Sequence, residues 1–184
     1  IGIAIGLIIG SIGFGLSFFL DPLIVSLLVV ASIAVITGIH HTDGLADFAD
    51  GLMTRGTKQK KRKAMKDLST GSAGIVSVVL YVVGAIIALS LTSGYELFQA
   101  ILLSEILAKF SMVLMASIGK SAVAGSNSPF MQIMKDKRRL AVAGVITIIP
   151  LVVIGGTTGL ILFGASIGVT LFLIGLSTRS FGGI

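Results

Sequence analysis

Three of the chain's eight acidic residues stand close together in the stretch His-His-Thr-Asp-Gly-Leu-Ala-Asp-Phe-Ala-Asp-Gly at residues 40–51. They are Asp43, Asp47 and Asp50, and on a helix they would share an arc of roughly 60°. Like charges on one stripe repel each other, so the pattern predicts a bound cation. Because the chain has no Cys, the oxygen ligands favour Mg²⁺ over Zn²⁺. The alternative is a solvated acidic face at a helix start, which explains Asp43 better than Asp50.

The composition predicts an all-α, polytopic membrane protein. Of the 184 residues, 54% are hydrophobic and 12% charged, and the mean hydropathy is +1.06. The apolar runs are continuous rather than alternating, which favours helices over a β-barrel. The net charge is +6, but the basic residues lie beside the apolar runs. They therefore indicate membrane topology, and we expect no nucleic-acid partner.

We expect about six transmembrane helices in a single integral membrane domain over residues 1–184. The predicted spans are 1–20, 23–39, 74–93, 97–118 and two within 140–178, with a break at 155–159. The chain begins with Ile1 rather than Met, so we expect the natural chain to start earlier. Residues 1–20 have no basic leading region, which indicates a span rather than a signal peptide.

The basic residues predict which side of the membrane each loop faces. Loops 40–73, 119–139 and 178–184 carry thirteen of the fourteen Lys and Arg residues, and the opposite loops carry none. The positive-inside rule therefore places the catalytic region, 40–73, on the cytoplasmic face of the cell membrane. Residues 54–66 carry seven of these cations and predict an amphipathic surface helix. They could anchor the chain, contact a phosphorylated substrate, or do both.

Two further polar features, the segment 65–74 and the pair Glu105 and Lys109, are candidates for a functional role. In Met-Lys-Asp-Leu-Ser-Thr-Gly-Ser-Ala-Gly at 65–74, backbone N–H groups could approach phosphate oxygens, although an ordinary loop entering a span also fits. Glu105 and Lys109 lie within an apolar span, where ionisable groups are a functional hypothesis by default. A self-neutralising structural pair is the alternative for them.

Together these features favour phosphoryl transfer at the cytoplasmic face. Such chemistry needs a metal ion to neutralise developing charge and to orient the attacking hydroxyl. Asp67 adds a fourth carboxylate to this region, and a carboxylate near that hydroxyl could act as the base or hold a second ion. No Ser-His-Asp or Cys-His set is present, and the pair His40 and His41 is typical of a membrane boundary.

The motif from His41 to Gly51 resembles the His-x-Asp-Gly-Leu-Ala-Asp-x-x-Asp-Gly signature of the cobalamin synthases, the adenosylcobinamide-GDP ribazoletransferases. Residues 65–74 are similar to that family's second motif at a similar spacing. The ending Phe-Gly-Gly-Ile at 181–184 looks like the start of its Gly-Gly-x-Thr-Gly-Asp motif, whose Asp we expect to follow. A weaker resemblance covers the whole chain and is closer to archaeal members. Glu105 and Lys109 depart from the family pattern, in which many members have an Arg-containing helix there.

The resemblance implies a reaction and a set of site residues. The 5′-hydroxyl of α-ribazole, or of its 5′-phosphate, would attack the cobinamide-bound phosphate of adenosylcobinamide-GDP and release GMP. The implied Mg²⁺ ligands are Asp43, Asp47 and Asp50, and the implied catalytic residues are Asp47 and Asp67. The implied substrate- and phosphate-binding residues are His41, Gly44, Lys66, Gly71, Gly74 and Lys109. The lipid bilayer is the other expected partner, and a homo-oligomer is left open.

Two other functions compete with this interpretation. A CDP-alcohol phosphotransferase also uses helical Asp residues, but its array has Ala-Arg after Asp-Gly-x-x, where this chain has Leu45-Ala46-Asp47. An ion-coupled transporter could use Glu105 and Lys109. That function predicts acidic sites near the membrane midplane and does not require the motif at 65–74.

Overall fold

The computed structural model describes residues 1–122 and 128–184, so residues 123–127 of the predicted polar loop at 119–139 lie outside it. Within the described residues the chain forms helices and no strands, which confirms the all-α class. The helices are α1 Gly2–Leu16, α2 Pro22–Thr37, α3 His40–Met53, α4 Lys58–Ala64, α5 Ser72–Ser90, α6 Gly94–Ile118, α7 Ser128–Met134 and α8 Lys137–Phe181.

Several of these helices are suited to a bilayer. Among the described residues, α5, α6 and α8 are long and apolar enough to cross a membrane, and α2 with α3 adds a fourth candidate if that bent pair is one span. These apolar helices indicate a membrane-embedded protein. The predicted count of six is not confirmed, because α1 has 15 residues and α8 forms one continuous assignment of 45 residues.

Gly2, Gly6 and Gly10 of α1 pack against α6. A Cβ added at Gly2 would lie 2.7 Å from the carbonyl oxygen of Glu105, and one added at Gly6 would lie 3.0 Å from the Cα of Leu102. One turn further along α1, a Cβ at Gly10 would lie 3.0 Å from the ring of Phe98. Glycine at each position therefore lets the two helices approach closely, as small residues do in membrane helix pairs.

Residues 7–101 form one compact unit, which holds the motifs singled out above. In this unit α5 packs against both α2 and α3, and α4 packs against α3. Its most deeply buried apolar side chains come from three helices: Ile9, Val25, Val29, Leu97 and Ile101. This apolar packing holds α2 in place, and α2 and α5, which pack against each other, in turn support the acidic helix.

The chain turns sharply between α2 and α3. Asp21 caps the start of α2 by accepting a hydrogen bond from the N–H of Leu23, and Pro22 occupies the first turn. The helix ends at Gly38, whose φ of +70° is strained for other residues. The axis of α3 is bent 91° from that of α2. With 14 residues, α3 is too short to cross a bilayer alone.

Residues 1–6 and 102–184 form the second compact unit. Within α8 the backbone is non-helical at Gly156, which has a φ of +55°. Beyond it, a Cβ at Gly159 would collide with the backbone of Leu151, so the chain folds back on itself at the predicted break. At the end of this unit the Ile184 N–H donates to the carbonyl oxygen of Lys120 over 2.8 Å.

Candidate active site

The acidic helix α3 packs against its neighbours through small residues and carries its carboxylates at more exposed positions. Ala46, Ala49 and Gly51 are buried, whereas Asp43 is exposed and Asp47 and Asp50 are half-buried. A helix over 40–53 therefore carries all three carboxylates, as their spacing predicts. These small buried residues let neighbouring backbone come close.

The pKa of Asp47 reflects the burial of its carboxylate and the repulsion from its two acidic neighbours. Burial raises the pKa of Asp47 above its usual value, and the negative charges of Asp43 and Asp50 raise it further. The three carboxylates are thus close enough to repel each other. A cation bound beside them would relieve that repulsion.

Asp50 makes a different set of contacts. Its Oδ2 accepts a hydrogen bond from the Gly71 N–H over 2.7 Å, and its Oδ1 accepts one from the Gly74 N–H over 2.8 Å. These two N–H groups were predicted to approach phosphate, and here they meet an anion that belongs to the chain itself. Phosphate binding by Gly71 and Gly74 stays a prediction, and an incoming phosphate would have to displace Asp50 to use them.

Asp67 is fully exposed and is held by a local turn. Its Oδ1 accepts two hydrogen bonds from Ser69, one from the hydroxyl over 2.7 Å and one from the backbone N–H over 3.1 Å. The hydroxyl bond, followed by the backbone bond, lowers the pKa of Asp67 below its usual value. Asp67 is therefore ionised throughout the neutral range, and neither of these bonds uses its Oδ2.

An open cleft of about 330 Å³ brings parts of the two motifs together. Asp50 and Thr54 line it from α3 and its end, and Asp67 and Ser69 line it from the loop before α5. Its remaining lining residues are Met53, Ala64, Gly71, Ser72 and Ala73. Asp50 and Asp67, which are more than fifteen positions apart in sequence, thus line the same cleft.

The basic segment forms the short helix α4 beside α3. Gly51 lets it approach, because a Cβ there would collide with the side chain of Met65 and lie 3.1 Å from the carbonyl oxygen of Lys61. The Lys61 ammonium donates to the carbonyl oxygen of Leu52 over 2.7 Å and so stabilises the end of α3. Lys66 is exposed, which leaves its charge accessible to an anion.

His41 and Gly44 lie on the exposed side of α3. A Cβ added at Gly44 would meet nothing within 4 Å, so packing within the chain does not require glycine there. Glycine in a helix is less favourable than alanine by about 1 kcal/mol. An unexplained helical glycine on the carboxylate-bearing helix is consistent with the close approach of a ligand.

Lys109 does not line this cleft and belongs to the other compact unit. It is half-buried in the wall of a mostly apolar cavity of about 190 Å³, beside Phe110 and Thr147. One turn earlier, Glu105 is 8% exposed, and its Oε2 is buried without a hydrogen-bond partner. Phosphate binding by Lys109 stays a prediction.

Across residues 1–122 and 128–184, no three His, Asp or Glu side chains already stand in an arrangement that could hold a metal ion. The chemistry of the donors nevertheless suits a hard divalent cation, because Asp43 and Asp47 offer anionic oxygens on one side of α3. The repulsion that raises the pKa of Asp47 marks negative charge that a cation would balance. The metal site stays a prediction.

Comparison with known proteins supplies the family. The chain matches the cobalamin-5-phosphate synthase (CobS) family over residues 1–184. It belongs to this family. The predicted family is thereby confirmed, and no solved structure matches the chain.

Three relatives of this CobS family member are each named adenosylcobinamide-GDP ribazoletransferase. The chain is 36% identical to the adenosylcobinamide-GDP ribazoletransferase of Pyrococcus abyssi over 86% of its own length and 67% of the relative's. It is 32% identical to that of Methanocella arvoryzae over 100% and 75% of the two lengths. The corresponding protein of Methanococcoides burtonii is 32% identical over 100% and 71%.

Sequence reasoning on this CobS family member missed two contacts of the site. Ser69 was not singled out, although Asp-x-Ser is a spacing at which a side chain bonds backbone and hydroxyl two residues on. The pairing of Asp50 with Gly71 and Gly74 has no local signal, because it joins residues 21 and 24 positions apart.

Proposed function

We propose that the chain transfers the adenosylcobinamide phosphoryl group from adenosylcobinamide-GDP to the 5′-hydroxyl of α-ribazole or of its 5′-phosphate, and releases GMP. The observation that carries this is the cleft shared by Asp50 and Asp67, which joins the two motifs of a CobS family member. The relatives' shared name, adenosylcobinamide-GDP ribazoletransferase, supports the choice of substrates.

The transfer balances as a substitution at phosphorus. The ribazole 5′-oxygen forms a new bond to the cobinamide-bound phosphorus, and the bond from that phosphorus to the bridging oxygen breaks. GMP leaves with that oxygen and its electron pair. Asp67 is ionised in the neutral range, so it can orient the hydroxyl and accept its proton as the new bond forms.

The proposed cofactor is Mg²⁺, with Asp43 and Asp47 as the residues that would hold it. A divalent cation there supplies charge neutralisation for the diphosphate and lowers the barrier to departure of the leaving group. The uncompensated carboxylates on α3 support this choice, since burial and like charge raise the pKa of Asp47. Asp50 stands apart, because both of its oxygens already accept backbone hydrogen bonds.

The remaining predicted contacts concern the substrate. Lys66 is exposed next to Asp67 and can approach a diphosphate oxygen as a mobile cation. The open space over Gly44 lets a bulky substrate come within contact distance of the α3 backbone, and His41 lies one turn before it. Lys109 is not included, because it does not line the cleft.

For topology, we propose six membrane passes in the cell membrane, with the cleft facing the cytoplasm. The break at Gly156 and the close approach of Gly159 to Leu151 support a count of two passes for α8. With α1, α2, α5 and α6 the count becomes six. The Lys and Arg residues of α4 support the cytoplasmic side for the adjoining α3.

A GMP-release assay tests the proposed reaction. Purified protein is supplied with adenosylcobinamide-GDP and α-ribazole, with Mg²⁺ present or removed by a chelator. We expect GMP to form together with adenosylcobalamin, and only when both substrates and Mg²⁺ are present. GMP formation without α-ribazole would indicate hydrolysis instead, and full activity in chelator would refute the metal requirement.

A fusion experiment tests the topology independently. A reporter that is active only in the cytoplasm is fused after Arg55, which is exposed between α3 and α4. We expect the reporter to be active there and inactive when it is fused at Thr92, between α5 and α6. The reverse pattern would overturn the proposed orientation.

A further inference from the structure

We infer that Asp50 serves the reaction as a positioning residue: its carboxylate fastens the loop that carries Asp67 onto α3 by binding the N–H groups of Gly71 and Gly74. This inference rests on the proposed function. It changes the role of Asp50 from a predicted metal ligand to a clamp between the two motifs.

First, Asp50 supplies the side-chain cap that the start of α5 lacks. Helix α5 begins at Ser72, and its N-cap, Gly71, has no side chain with which to bond the first turn. An N-cap side chain normally accepts from the N–H two or three residues on. Asp50 Oδ1 accepts from the Gly74 N–H at that position over 2.8 Å. The negative charge also lies where the helix dipole favours it.

The second line of evidence is the glycine at each bonded position. A Cβ added at Gly71 would lie 2.5 Å from Asp50 Oδ1, and a Cβ added at Gly74 would lie 2.6 Å from Asp50 Oδ2. Both distances are far below ordinary van der Waals contact. The Gly-x-x-Gly pattern at 71–74 is therefore explained by the carboxylate of Asp50 before any external phosphate is considered.

The clamp acts on a loop with little other burial. Residues 66–72 are all exposed, so few apolar contacts hold the segment between α4 and α5. Asp67 lies four positions before Gly71, and both line the same cleft as Asp50. Charge-assisted hydrogen bonds to backbone N–H groups are about twice as strong as neutral ones. Releasing them would free the loop and let Asp67 move away from the reacting hydroxyl.

The variant Asp50→Asn distinguishes a positioning role of Asp50 from a role as a metal ligand. Gly71 and Gly74 bond different oxygens of Asp50, and Asn has an NH₂ donor in place of one of them, so in this arrangement it retains only one of the two bonds. Hydrogen exchange, measured at single-residue resolution without substrate, should be about tenfold faster or more at the amide of Gly71 or Gly74, the size expected for one lost hydrogen bond. In the assay kcat should fall by about tenfold or more, while KM and the Mg²⁺ concentration for half-activation stay within about twofold.

Three results would overturn the inference. The first is unchanged exchange at both Gly71 and Gly74 in Asp50→Asn. The second is faster exchange with an unchanged kcat, which would make the contact structural only. The third is a rise of about tenfold or more in the Mg²⁺ needed for half-activation, as expected for a lost metal ligand. If the wild-type protein releases no GMP, the proposed function fails, while the exchange result still reports on the contact itself.

A glycine pair keeps the test independent of the Asp50 variant. Gly74→Ala should displace the carboxylate, speed exchange at Gly71 and lower kcat as Asp50→Asn does. The matched control is Gly84→Ala in the same helix, where an added Cβ meets nothing within 4 Å. That variant should leave exchange at Gly71 and kcat unchanged. Equal kcat and equal exchange in the two glycine variants would also overturn the inference.

Discussion

Two carboxylates in different parts of the molecule are treated in opposite ways. Asp50 is half-buried, and both of its oxygens accept backbone hydrogen bonds. Glu105 is 8% exposed, and its Oε2 is buried without a hydrogen-bond partner. The first residue joins two segments of the candidate site, whereas the second lies in a long apolar helix of the other compact unit.

Hydrogen bonding therefore distinguishes a carboxylate that organises a site from one that destabilises a helix. Removing one partner of a satisfied buried group leaves the others unpaired, which costs about 1–3 kcal/mol. Removing a group that is already unsatisfied relieves such a penalty instead. Substitutions at the acidic helix α3 should therefore lower function, and substitutions at Glu105 should raise stability.

Asp47→Asn should produce the largest effect. It removes one anionic oxygen from the proposed cation site, so we expect the rate of GMP release to fall by about a thousandfold, the scale of losing a main electrostatic contact in the transition state. The protein should remain folded in detergent. Glu96→Gln is the matched control, because it neutralises an exposed carboxylate in the first turn of α6. Full activity of Asp47→Asn would refute a metal role for α3.

Glu105→Met tests the other side of the comparison. It replaces the unsatisfied carboxylate with an apolar side chain of similar length, so the detergent-solubilised protein should gain about 1–3 kcal/mol of stability. Thermal unfolding would show this as a melting temperature higher by a few degrees. A large loss of transfer activity at an unchanged melting temperature would instead assign Glu105 a role in the transfer reaction.

Ser69→Ala tests a third carboxylate, Asp67, through its pKa. The hydroxyl of Ser69 is the largest cause of the lowered pKa, so its removal should raise that pKa toward the usual value. A carboxyl with a lowered pKa is ionised above it and loses its charge only as the pH falls through it. The acid limb of the pH–rate profile should therefore move to higher pH, and kcat near neutral pH should fall by about three- to tenfold through looser positioning.

The matched control for that variant is Ser32→Ala, which removes a hydroxyl bonded to the carbonyl oxygen of Leu28 within α2. It should leave the profile unchanged. An identical acid limb in the Ser69 variant and in the wild-type protein would show that Asp67 does not act as the base.

Gly44→Ala should give the smallest effect, with opposite signs for stability and activity. The added methyl group meets open space and improves helix propensity, so stability should rise by about 0.5–1 kcal/mol. The same methyl group should lower the affinity for adenosylcobinamide-GDP if the substrate contacts this part of α3. Denaturation in detergent and KM measurements check the two halves, and an unchanged KM would remove Gly44 from the site.

Local patterns in the sequence predicted much of the fold, whereas contacts between distant segments escaped it. The spacing of Asp43, Asp47 and Asp50 predicted a helix, because it follows helical periodicity. The 91° bend between α2 and α3 has no such signature. Charge patterning identified α4 as a basic surface helix, since its cations could not lie within a bilayer.

The site was predicted as a set of residues rather than as an arrangement. Asp50 was grouped with the other aspartates because sequence spacing shows which residues share a helix face but not which partners they meet. Its bonds to Gly71 and Gly74 depend on the packing of α5 against α3. Lys109 was a candidate because ionisable groups in apolar helices are often functional, but it is not among the residues that line the cleft.

The most direct test of the account is the location of a bound divalent cation. Mn²⁺ can replace Mg²⁺ at oxygen ligands, and its anomalous scattering identifies its position in crystals of the protein grown with GDP. We predict a Mn²⁺ peak within coordination distance of the carboxylates of Asp43 and Asp47, with Asp50 still bonded to Gly71 and Gly74. A bound Mn²⁺ ion away from α3, or no Mn²⁺ at saturating concentration, would contradict the account.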